Sequence, residues 1–157
     1  MARLYGRAPK GLRVRDAVPA GTWNTTTLID AIGVGGAQAP MLLPGALDGN
    51  AFEVYVRKML VPTLRPGDVV VMDNLSTHKH AAARRPIEAG PAKILDLPPY
   101  SPDLNPIEKM WSKIKSLLRA ARARTFKALI TAVSKALKQI TIEDALGWIK
   151  SCGYEIN

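Results

Sequence analysis

Val69-Val70-Val71-Met72-Asp73-Asn74, followed by Lys93-Ile94-Leu95-Asp96-Leu97, decides the fold class. The first run opens after Pro66-Gly67 and is apolar at every position from 69 to 72. Such a run suits a strand buried on both faces, as in a parallel sheet. Residues 93–97 read as a second short strand, and residues 77–89 between them as a helix that Pro86 should kink or shorten.

Upstream, residues 25–32 are rich in β-branched side chains and predict a strand. A turn at 33–36 and a short partner strand at 41–43 complete a hairpin. Apolar residues Ala51, Phe52, Val54, Tyr55, Met59 and Leu60 recur at helical spacing over 48–60, until Pro62 and Pro66 break the chain. Downstream, 98–105 is a proline-rich loop, and helices are predicted over 106–124, 125–139 and 142–151, with Gly153 at the final stop. Residues 1–21 are basic and rich in Gly and Pro, as expected of an irregular lead-in. Strands alternating with helices indicate an α/β domain with a mixed sheet flanked by helices.

The 157 residues suit one domain, and 47% hydrophobic composition supports a real core. A net charge of +9 points to a polyanionic partner, DNA or RNA being the usual one, against the plainer reading of a basic solvated surface. The single cysteine, Cys152, forms no internal disulfide, and a reduced cytosolic setting suits it. No apolar run approaches the ~20 residues that span a bilayer, so no membrane role is expected.

Two carboxylates stand where chemistry is usually placed. Asp73 follows the 69–72 strand, and α/β sites form beyond the C-terminal ends of parallel strands. Its plainer role is an Asx turn closing that strand. Glu108 falls at the third position of the long helix, after Asn105 as N-cap and Pro106. That is capping-box geometry, a structural role in itself. The helix is expected to bury Ile107, Met110, Trp111, Ile114, Leu117 and Leu118, with Glu108 beside this stripe on the face of Ser112, Lys115 and Arg119. A strand-end carboxylate and a helix-start carboxylate suggest a divalent metal site, which usually needs a third acid. His78 and His80 lack a cysteine partner, so zinc is not expected. Asn74 and His78 suit a turn and a helix start better than a ligand contact. Gly33-Val34-Gly35-Gly36 lacks the Gly-Lys-Ser/Thr of a phosphate-cradling loop. Trp111 and Trp148 have the spacing of core residues.

The string Val70-Val71-Met72-Asp73-Asn74-Leu75-Ser76-Thr77-His78-Lys79 and, later, Leu97-Pro98-Pro99-Tyr100-Ser101-Pro102-Asp103-Leu104-Asn105-Pro106-Ile107-Glu108 resembles the signature of DDE-superfamily transposases, in the bacterial insertion-sequence branch related to mariner elements. Thirty-four residues lie between Asp73 and Glu108, the spacing of that branch. Tyr5-Gly6-Arg7-Ala8-Pro9-Lys10-Gly11 and Pro66-Gly67-Asp68 also resemble it, so the likeness covers nearly the whole chain. It implies an RNase H-like fold and a single partial catalytic domain over 1–157. It also implies a pair of Mg²⁺ or Mn²⁺ ions, and nicking and strand transfer at transposon ends. Asp73 matches the second aspartate and Glu108 the glutamate, as catalytic and metal-binding residues.

The family's first aspartate lies on a strand upstream of the Tyr-Gly-Arg-Ala-Pro stretch, and this sequence holds no match to it. Of the remaining acids, Asp16 falls in the basic loop, Asp48 is expected to cap a helix, and Asp30 on the early strand is the one stand-in. The absent strand would sit mid-sheet, so its loss should leave strand edges exposed. The resemblance thus implies a chain that is a poor nuclease alone. Basic residues Lys113, Lys115, Arg119, Arg122 and Arg124, continued by Lys127, Lys135 and Lys138, read as an ordinary solvated face or, given the resemblance, as contacts to DNA phosphates. Expected partners are DNA, further copies of the chain, or full-length transposase, in a cytoplasmic, nucleoid-associated setting. The alternative is a non-catalytic basic module that binds DNA or represses a full-length enzyme through inactive mixed oligomers.

Overall fold

The computed structural model describes residues 6–15 and 25–156. The chain forms two compact units, one of residues 24–110 with 140–157, the other of 1–23 with 111–139.

In the first unit, β1 (Thr26–Ile29) pairs antiparallel with β4 (Met41–Pro44), with Ile29 opposite Met41. The expected hairpin is present but built in two stages, because β2 (Ile32–Gly33) and β3 (Gly36–Ala37) form a ladder of their own at its tip. Gly36 has φ of +102°, a conformation that favours glycine, and so allows the tight return. The corner between the ladders is held by Asp30, whose Oδ1 accepts from Ala31 N at 2.8 Å and Ala39 N at 3.0 Å. Asp48 caps α1 (Gly49–Tyr55) as expected, accepting from Ala51 N at 2.7 Å. The helix continues as a π-helical turn over Val56–Leu60 before Pro62 ends it in a 3₁₀ turn.

β5 (Val69–Met72) runs parallel to β6 (Lys93–Asp96), with Met72 opposite Asp96. The crossover is a 3₁₀ turn at Ser76–Lys79 and then α2 (Ala81–Glu88), which continues two residues past Pro86. Phe52, Tyr55, Val56, Met72, Ala83 and Ile87 lie at the core that α1, α2 and the two strands enclose. The expectation that β5 is buried on both faces needs correction. Met72 is buried, Val70 and Val71 are half-buried, and Val69 is 55% exposed. The reason is its ladder: among the described residues β5 pairs with β6 alone and β1 with β4 alone, so each has one unpaired edge.

α3 (Pro106–Ala121) starts in this unit, and its residues from Trp111 belong to the second. Of its expected stripe, Met110, Ile114 and Leu118 are buried, while Ile107, Trp111 and Leu117 are half-buried. In the second unit, α4 (Phe126–Leu137) is capped by Thr125 Oγ1, which accepts from Ala128 N at 3.1 Å, and it buries Val133 and Ala136. The described lead-in, 6–15, holds a turn and neither helix nor strand. The rest of the expected lead-in, with Asp16, lies outside the described residues. Back in the first unit, α5 (Ile142–Ser151) carries a full capping box between Thr141 and Asp144 and stops ahead of Gly153, at φ +86°. No described helix is long and apolar enough to cross a membrane.

Candidate metal-dependent nuclease site

Asp73 leaves the C-terminal end of β5, where the ladder stops and the chain must turn. Its Oδ1 accepts from Leu75 N at 3.0 Å, the Asx turn that the short side chain favours. The same oxygen lies 2.7 Å from His78 Nδ1, yet that nitrogen has no well-aligned hydrogen bond: the contact is close but poorly directed. The His78 ring also packs against Phe52, their centroids 4.7 Å apart. Asp73 remains 44% exposed, so a turn role and a ligand role are compatible.

The end of β6 is tied to the same place. Leu97 N donates to Met72 O and Asn74 Nδ2 donates to Leu97 O, both at 2.8 Å. Asn74 is therefore a strap between the two strand ends. From Leu97 the proline-rich loop passes a 3₁₀ turn at Pro102–Leu104 and delivers α3 with Glu108, exposed, in its first turn. Asn105 is buried just before the helix, and Glu108 N donates to Asn105 O at 3.2 Å. The C-terminal segment buttresses this start: Tyr154 OH donates to Leu104 O at 2.7 Å, and Lys109 Nζ bonds Ser151 Oγ. A carboxylate in a first turn is favoured by the helix dipole.

Asp73 and Glu108 are thus two accessible oxygen donors on one unit, borne on elements leaving the same end of the parallel pair. Their chemistry fits a hard divalent cation that keeps several waters. Among the described residues no three His, Cys, Asp or Glu side chains are grouped to hold a metal ion, so the third ligand is not supplied by them. That includes Asp30, the stand-in. It is 7% exposed, its Oδ1 is spent on two backbone amides, and its Oδ2 and the Tyr55 hydroxyl are buried without hydrogen-bond partners. Burial raises its pKa to about 6, against the opposing pull of the amides. Burial, and next the Asp30 charge, also raise the Tyr55 phenol. His80 is half-buried, its ring packed against Gly49, and it joins no metal-holding group.

The expected DNA-contacting cations lie in the second unit. Lys115, Arg122 and Arg124 are exposed, and Lys113 and Arg119 half-buried. Three features were not foreseen from sequence: the Phe52–His78 stack, the Tyr154 buttress, and Tyr100, which is fully exposed at φ +56°. Only Tyr100 had a visible signal, its place inside the Pro-Pro-Tyr-Ser-Pro string.

The chain is similar to the Tc1 transposase of Caenorhabditis elegans, 32% identical over 91 residues, which is 58% of this chain and 33% of that protein. Among solved structures it resembles the Mos1 transposase paired-end complex with left transposon end, at TM-score 0.74 and 16% identity, over 97% of this chain and 47% of that one. It also resembles the Mos1 transposase catalytic domain solved with raltegravir and Mg, at TM-score 0.60 and 16% identity, over 85% of this chain and 84% of that one. These likenesses establish the fold as mixed α/β and RNase H-like, with small sheets. The chain spans about a third to a half of the length of the whole transposases it matches. A family model described as DDE superfamily endonuclease matches residues 1–130, and the chain belongs to that family.

Proposed function

We propose that residues 1–157 are a partial transposase catalytic domain of bacterial insertion-sequence type, acting with Mg²⁺ or Mn²⁺ on DNA at transposon ends. The observation that carries this reading is the placement of Asp73 at the end of β5 and Glu108 at the start of α3, both accessible, within the family's signature strings. Bound there, a divalent cation would supply the Lewis acid that makes water or a 3′-hydroxyl competent to attack a phosphodiester. The chain's own part is to hold the two carboxylates: Asn74 straps the strand ends, His78 sits against Asp73, and Tyr154 steadies the entry to α3. DNA is the partner, reached through Lys113, Lys115, Arg119, Arg122 and Arg124, in a cytoplasmic, nucleoid-associated setting.

We further infer that a strand bearing the third carboxylate, from a preceding segment or another chain, pairs with the open edges of β1 and β5. The unpaired ladders and the exposed Val69 support this, since a parallel apolar strand is ordinarily covered. Without that strand the chain is a poor nuclease. A second reading follows from the absence of a third grouped ligand among the described residues: a non-catalytic module that binds DNA or joins full-length transposase in inactive mixed oligomers.

Titration of Mn²⁺ into a polypeptide carrying the additional strand, followed by loss of the free-ion EPR signal, separates the two. The catalytic reading expects tight binding that Asp73→Ala and Glu108→Ala each abolish. Binding unchanged by both substitutions would sink it and favour the non-catalytic module.

A further inference from the structure

The loop between β6 and α3 is fastened along its length. Leu97 is bonded to Met72 and Asn74 at its start, Leu104 N donates to Ser101 O at 3.2 Å, and Tyr154 holds Leu104 O. Pro98, Pro99 and Pro102 restrict its backbone further. Tyr100 alone departs from this economy. Its φ of +56° is in the left-handed region that side chains disfavour, and its residue surface is 102% exposed, the most of any large apolar residue among those described. Glycine would relieve the backbone there, and packing the ring would bury its area; the chain does neither. A large ring held clear of the fold on a stiff stalk, in the loop that joins β6 to the helix of Glu108, has little freedom to lose when it meets a flat partner.

We propose that Tyr100 is a stacking platform for an unpaired DNA base at the end being processed. The proposal rests on the DNA-processing reading of the neighbouring carboxylates. It names the part of the substrate this loop contacts: a base face, not a phosphate. The +9 charge of the chain draws nucleic acid in, whereas an isolated ring flanked by prolines reads a base surface without regard to sequence. Stacking at a frayed or nicked end would hold the displaced nucleotide aside. No bond is made or broken by Tyr100, which acts as a positioning residue.

The test uses the intact chain, in EDTA, with a duplex carrying a short unpaired 3′ end containing 2-aminopurine and a blunt duplex of equal length. Binding is expected to quench the 2-aminopurine fluorescence. Tyr100→Gly, which relieves the backbone and so keeps the fold, should weaken affinity for the unpaired end about tenfold and leave the blunt duplex unchanged. Tyr100→Phe should retain both affinities. The proposal is overturned if Tyr100→Gly binds the unpaired end as the native chain does, or loses both duplexes equally. It is also overturned if Tyr100→Gly alters sedimentation of the DNA-free protein, which would assign the ring to a protein contact. With metal removed, this outcome is independent of whether Asp73 and Glu108 support cleavage, so the two readings fail separately.

Discussion

Asp30 and Asp73 are both strand-end aspartates, and their surroundings give them opposite characters. Asp73 spends Oδ1 on a turn amide and stays 44% exposed, open to a ligand. Asp30 is 7% exposed and closes a corner of the fold, with Oδ2 making no hydrogen bond. Its folded pKa of about 6 lies above the ordinary 3.8, so the folded state holds the proton more tightly than the unfolded state. The stability this gives is complete below pH 3.8 and is lost as pH rises towards 6. That gap corresponds to at most about 3 kcal/mol. Asp30→Asn keeps the acceptor for Ala31 and Ala39 and removes the charge. Urea denaturation near neutral pH should therefore show it more stable than the native chain by about 2 kcal/mol, with a flatter dependence between pH 4 and 6. An equally pH-dependent variant would show that Asp30 is not the titrating group. Sequence placed Asp30 on a strand but not its burial, because the fate of a side chain two residues from a turn depends on what packs across it.

At the scale of elements, α2 carries the clearest local conflict. Pro86 sits two residues before its end, removing one helical amide, yet the helix persists because Ala83 and Ile87 are wholly buried beneath it. Packing outweighs propensity here. Pro86→Ala should restore the bond to Ala82 O and raise the unfolding free energy by about 1–3 kcal/mol. An unchanged denaturant midpoint would mean that this turn has adapted fully to proline. The elements themselves were legible where the pattern was strong: β5 matches its four-residue apolar run, and α3 starts at Pro106 as its Asn-Pro signal requires. The π-helical turn at Val56–Leu60 and the split of the early hairpin were not legible. The split hairpin accompanies the amides of Ala31 and Ala39 gathered on Asp30, an arrangement that strand alternation does not signal. The exposure of β5 was misjudged because an apolar run reveals what a strand could bury, not whether a neighbour lies beside it.

For the whole molecule, the proposed contact with DNA draws on the +9 charge. Replacing Arg119, Arg122 and Arg124 together with alanine should weaken duplex binding and flatten the plot of log affinity against log salt by about 0.9 for each phosphate that is no longer neutralised. A slope equal to that of the native chain would remove these residues from the interface. The family signature is what singles out Asp73 and Glu108 as the proposed ligands, since each lies within a contiguous string. The contacts around them were not readable: Asn74, Phe52 and Tyr154 come from three separate segments and touch Leu97, His78 and Leu104.

We propose, above all, that Asp73 and Glu108 form two thirds of a metal-dependent DNA-cutting site that a further strand completes. Its most direct test is a Mn²⁺-dependent nicking assay on DNA carrying the element's own ends. The native chain is compared with a polypeptide carrying the additional strand and its aspartate, and Asp73→Ala and Glu108→Ala are made in each. Nicking is predicted only for the completed polypeptide, and either substitution should abolish it. Nicking by the native chain that depends on Asp73 and Glu108 would contradict the claim, since these residues would then already have their third partner.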